Sequence, residues 1–110
     1  MAKFVYSECN EKQKKAWKNI KYAYNDYIGG WENELLDSEE GSEEWNHAKK
    51  ILGNREALIE IIYKMAITDV YTAGGHFSGP QAERFLKDIR FCGKEWMQGL
   101  ISAMLKHDGY

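Results

Sequence analysis

The side chains of this sequence that could do chemistry are three histidines, two cysteines and a dense run of carboxylates. Glu44 and His47 form a Glu-x-x-His step, which puts both side chains on one face of a helix. Di-iron bundles use that step twice and add two carboxylates from other helices. Here the step occurs once, and neither His76 nor His107 has a glutamate three residues before it. The pair therefore reads as a surface pair, and no metal ligand is assigned. Asp37-Ser38-Glu39-Glu40-Gly41 invites comparison with a calcium loop, but Gly41 arrives one place early and the spacing to a terminal glutamate fails. Gly74-Gly75 precedes a predicted helix start, where free amides can hold an anion, yet no Gly-Lys-Ser/Thr follows. His76 with Ser78 has no nucleophile motif around it. No catalytic residue is assigned and no cofactor is expected.

Cys9 and Cys92 are too few and too far apart for a disulfide scaffold or a zinc site, so free thiols in a reducing cytosol are expected. If the last helix is unbroken, Cys92 stands roughly 18 Å along it while Cys9 sits at one end of the fold. A bond between them is not expected on that geometry.

Two charge clusters remain. The net charge of -2 hides +4 through Lys21, -8 over residues 22–44, and +2 from Trp45 onward. Asp26, Glu32, Glu34, Asp37, Glu39, Glu40, Glu43 and Glu44 make up the negative block, which contains no lysine or arginine. Folded as helix, turn and helix, it becomes one negative end. Such an end repels nucleic acid and steers basic protein surfaces toward it. The basic block is Lys12, Lys14, Lys15, Lys18 and Lys21, of which Lys14, Lys18 and Lys21 share a helix face. Phosphate contact through that face is the alternative reading, although only three arginines are available for bidentate base contacts.

The elements that would carry these clusters follow from apolar spacing. Trp17, Ile20, Tyr24, Tyr27, Trp31 and Leu35 recur at three- and four-residue steps, predicting a helix from about Asn10 to Leu36 with an Asn10–Gln13 capping pair. Gly29-Gly30 lies within it and predicts a kink or a close contact. Asp37 to Gly41 reads as a turn, Ser42 as the cap of a second helix, and Gly53-Asn54 as a stop followed by a new cap. Arg55 to Tyr71 is apolar around most of its circumference, which predicts a central helix or a homodimer contact. Thr72 to Pro80 reads as the one long connection, with Ser78 and Gln81 as a capping box. The last helix is predicted from Pro80 to about Lys106, with Gly93 at a close-packing position.

Three long helical arms predict an all-α antiparallel bundle in a single helical domain, residues 1–110, without a sheet. Hydrophobic residues at 44% exclude a disordered tail, and no apolar run approaches the ~20 residues of a membrane span. The first residues lack the apolar centre of a signal peptide, so a cytoplasmic location is expected. Tyr6, Tyr22, Tyr63, Tyr71 and Tyr110 lie off the main stripes, as aromatics of a binding surface do. Twelve lysines against three arginines fit an A/T-rich bacterial or phage coding sequence. No family resemblance reaches a motif. The expected function is that of a non-enzymatic interaction protein whose acidic end engages a basic protein surface. An inhibitor of a host defence nuclease, anti-CRISPR-like by analogy only, is one concrete version. A helical metal-binding protein or hydrolase is the remaining alternative.

Overall fold

The computed structural model describes residues 4–71 and 79–110. After a short 3-10 turn at Tyr6–Glu8, the chain forms five helices: α1 (Glu11–Asp37), α2 (Glu43–Leu52), α3 (Arg55–Thr68), α4 (Pro80–Phe91) and α5 (Lys94–His107). Among the described residues there is no strand, and the fold is an all-α bundle. The expected capping box closes α1: Gln13 N donates to Asn10 Oδ1 at 2.8 Å and Asn10 N donates to Gln13 Oε1 at 3.0 Å. α1 then runs through Gly29-Gly30 without interruption. A Cβ at either glycine would meet nothing within 4 Å, so neither serves the close contact that the sequence suggests.

α1 and α3 each pack against the other four helices. The buried face of α1 is Ala16, Asn19, Ile20, Ala23, Tyr24 and Ile28. Its aromatic stripe is displaced from that face: Trp17, Tyr27 and Trp31 are half-buried along the edges. Alanines at the contact let neighbouring helices approach closely, and the large rings seal the flanks. α3 contributes Leu58, Ile62 and Ala66 to the core, whereas Ile59, Met65 and Ile67 remain half-buried around it.

Among the described residues Asn19 is the one buried polar residue, fully enclosed beside the end of α3. Its amide donates to the carbonyl oxygens of Ala66 at 2.7 Å and Asp69 at 2.9 Å, while its own oxygen accepts from Tyr71 N–H. The helix predicted to reach Tyr71 therefore stops at Thr68, and the extended residues beyond it are held by a side chain from α1. Three hydrogen bonds offset the burial of this amide, which would otherwise be costly.

The largest departure from expectation is in the third arm, which is two helices. Cys92 ends α4, and Gly93 takes φ +91° as the cap of α5. No side chain reaches that conformation without strain, so glycine is required there. A continuous helix cannot pass such a residue, and the chain reverses. Lys12 with Phe91 and Lys15 with Asp88 pair ascending residues of α1 with descending residues of α4. α5 starts from that end of α1 and reaches Tyr24 with its last turn, where Met104 O accepts from Tyr24 Oη at 3.4 Å and Asp108 just beyond accepts at 2.7 Å. α4 thus runs opposite to α1, and α5 runs along it. The break at Gly53-Asn54 occurs as expected, with Asn54 Oδ1 accepting from Ala57 N–H at 3.2 Å. The predicted Ser78 cap lies outside the described residues, where α4 is entered through Gly79 with Pro80 in its first turn.

Candidate functional site: the acidic end

The end formed by α1, α2 and the turn between them is built from local rules. Ser42 Oγ accepts from Trp45 N–H at 3.2 Å and starts α2. Gly41 takes φ +86°, which lets the turn close. The rings of Trp31 on α1 and His47 on α2 meet edge to face at 5.4 Å, fastening the two helices side by side. His47 is thereby a packing partner, and Glu44 beside it is exposed. Among the described residues no three histidine, cysteine or acidic side chains form a group that could hold a metal ion.

Of the eight carboxylates, all but the half-buried Glu34 are exposed, and among the described residues none forms an ion pair with a cation. The eight do not form one uniform cluster. Asp37, Glu39, Glu40, Glu43 and Glu44 make the tip. Glu34 lies one turn back and accepts from Ser38 Oγ at 3.5 Å. Glu32 accepts from Tyr110 Oη at 2.7 Å, so it is partly committed to holding residue 110. Asp26 stands ~16 Å along α1 from Asp37 at 1.5 Å per residue. Its charge, after burial and Asp69, helps to raise the pKa of Tyr71. A shallow cavity of about 330 Å³ lined by Asp26, Tyr27, Gly30, Trp31 and Glu34 joins the two parts.

Helix electrostatics account for only part of this charge. Glu43 and Glu44 occupy the first turn of α2, where negative charge is favourable. Glu34 and Asp37 stand at the opposite pole, in the last turn of α1, which carries no basic residue. A carboxylate there opposes the dipole by about 0.3–1 kcal/mol. Glu39 and Glu40 lie in the turn and serve no cap. Next to Asp37 in the last turn of α1 stands Leu36, 82% exposed, the most exposed large apolar side chain among the described residues. Sequence spacing did not single it out, because Leu35 beside it takes the inward position of the stripe.

The basic face is largely engaged. Lys12 Nζ lies 4.0 Å from the centre of the Phe91 ring and Lys14 Nζ lies 5.7 Å from that of Tyr6. Lys15 Nζ is 3.0 Å from Asp88 Oδ2, a contact that holds the Asp88 carboxyl below its usual range. Lys18 and Lys21 are exposed, and among the described residues only these two of Lys14, Lys18 and Lys21 have no charged or aromatic partner. The aromatics are also more committed than expected. Tyr6 and Tyr22 are 38% and 40% exposed, but Tyr63, Tyr71 and Tyr110 are half-buried and pack on the core. His76, Ser78 and Gly74-Gly75 lie outside the described residues. No protein-family model, no curated protein and no solved structure matches the chain.

Proposed function

We propose that this protein is a non-enzymatic binding protein that captures a basic protein surface with the acidic α1–α2 end. One observation carries the reading: Asp37, Glu39 and Glu40 are exposed and without a cationic partner among the described residues, and Leu36 beside Asp37 is exposed as well. Charge of that kind raises association rates, and an apolar residue beside it supplies contact area once the surfaces meet. Charge placed against the α1 dipole lowers local stability, and residues that break a local rule without structural return are characteristic of functional sites.

The partner class is a protein surface rich in lysine and arginine, such as the nucleic-acid channel of a nuclease. Inhibition of a host defence nuclease, in a phage or mobile-element setting and in the bacterial cytoplasm, is the concrete form of this reading. Self-association through the α3 helix is a further part of this reading and is separate from the acidic end. No helix among the described residues is long and apolar enough to cross a membrane.

The test is capture from bacterial lysate at low and high salt, by the native protein and by a Glu39→Lys/Glu40→Lys/Glu43→Lys/Glu44→Lys variant. Salt-sensitive capture that the variant loses supports the reading. Capture by the variant equal to that of the native protein contradicts it. Binding of duplex DNA at low salt that falls when Lys18 and Lys21 are neutralised would favour the basic face instead.

A further inference from the structure

We propose that Cys9 and Cys92 form an oxidative modification site, a thiol pair that a peroxide converts into an intramolecular disulfide fastening the residues before α1 to the α4–α5 corner. The antiparallel run of α4 against α1 makes this possible, since Lys15 pairs with Asp88 at 3.0 Å and the end of α4 therefore lies beside the start of α1. Lys12 lies over the Phe91 ring at 4.0 Å, so Cys9, three residues before Lys12, enters the same corner as Cys92. Burial pushes the Cys92 thiol up, Lys12 opposes that rise, and Asp88 and Cys9 add to it. Neither sulfur is held by a strong partner. Cys9 Sγ donates to Val5 O at 3.4 Å and Cys92 Sγ donates to Asp88 O at 3.7 Å, contacts within each cysteine's own turn.

The corner also has room to adjust and a route for a reagent. Both cysteines are half-buried and free, Cys9 is in extended backbone, and a Cβ at Gly93 would meet nothing within 4 Å. A cavity of about 900 Å³ opens beside Cys92 and Gly93, walled by Phe4, Trp96 and Gly99. In the reaction, one thiolate attacks a peroxide oxygen, breaking the O–O bond and leaving a sulfenic acid and hydroxide. The second thiolate attacks that sulfur, forming the S–S bond and expelling a second hydroxide. The two protons released by the thiols convert these hydroxides to water. Two thiols are oxidised and one hydrogen peroxide is reduced to two waters.

The experiment treats the full chain with dilute hydrogen peroxide and reads intact mass, peptide map and migration without reductant. A monomer lighter by about 2 Da, with one Cys9–Cys92 cross-linked peptide that a thiol reductant reverses, is the expected result. Cys9→Ser and Cys92→Ser should each abolish the cross-link and instead leave a sulfenic acid that dimedone traps. The oxidised protein should also melt higher than the reduced one, because the bond closes a long loop. Two thiols still titratable after peroxide treatment would overturn the proposal. So would sulfinic acids without a cross-link, or disulfides only between chains.

Discussion

Trp31 and His47 meet edge to face at 5.4 Å, and through this contact the last turns of α1 are fastened to α2. The relationship matters because the carboxylates of the tip come from both sides of it: Glu34 and Asp37 from α1, Glu43 and Glu44 from α2. An interaction surface assembled from two helices keeps its shape only while the helices keep their spacing. Trp31→Ala is expected to cost about 2 kcal/mol, less than a fully buried tryptophan, because Trp31 is half-buried. Hydrogen exchange should show the loss chiefly in α2, with α5 protected as before. Equal loss of protection in α2 and α5 would mean that the contact supports the whole bundle and not the tip.

Asn19 is expected to be the most sensitive polar position of the fold. Asn19→Leu removes the donors to Ala66 O and Asp69 O and the acceptor for Tyr71 N–H. Each buried group left without a partner costs about 1–3 kcal/mol, so destabilisation of about 3 kcal/mol or more should appear in chemical unfolding. Asn19→Asp keeps the acceptor but turns a donor into a second acceptor facing two carbonyl oxygens. It should be no better tolerated at neutral pH. A stability loss below about 1 kcal/mol for both variants would contradict the role assigned to this residue.

Asp108 should contribute to acid sensitivity, beside the Lys15–Asp88 pair. Tyr24 Oη donates to Asp108 Oδ2 at 2.7 Å, and this bond, followed by the contact with His107, lowers the Asp108 pKa. A carboxylate whose folded pKa lies below its unfolded value adds stability above the unfolded pKa. That stability disappears as pH falls toward the folded pKa. Tyr24→Phe should therefore lower the melting temperature more at pH 7 than at pH 3. A difference between native protein and variant that is the same at both pH values would contradict the assignment.

The arms of the bundle were legible in the sequence where a residue acts within its own turn. Asn10 with Gln13, Ser42 and Asn54 each cap the helix that spacing assigned to them, and Gly53-Asn54 divides the second arm. The third arm was misread because Phe85, Leu86, Ile89, Trp96 and Met97 keep helical phase across Gly93, while the backbone there takes φ +91°. Phase alone cannot distinguish one helix from two that meet at a glycine. The place of Cys92 changes for the same reason: it caps the end of α4 and does not stand within one long helix. Asn19 was invisible because its partners are backbone atoms some fifty positions away. In the acidic block the charge was readable, but its division was not. Glu32 is taken by Tyr110, Asp26 stands about three turns back along α1, and Leu36 joins the tip through its exposure.

The most direct test of the acidic end uses the narrower variant Glu39→Lys/Glu40→Lys, which leaves the first turn of α2 and every cap intact. With the partner isolated by capture, its dissociation constant is measured against salt for both proteins. The native protein should bind at least tenfold more tightly than the variant at about 0.05 M salt, with the gap narrowing toward about 0.5 M as screening sets in. Equal affinity and equal salt dependence of the two proteins would contradict the account.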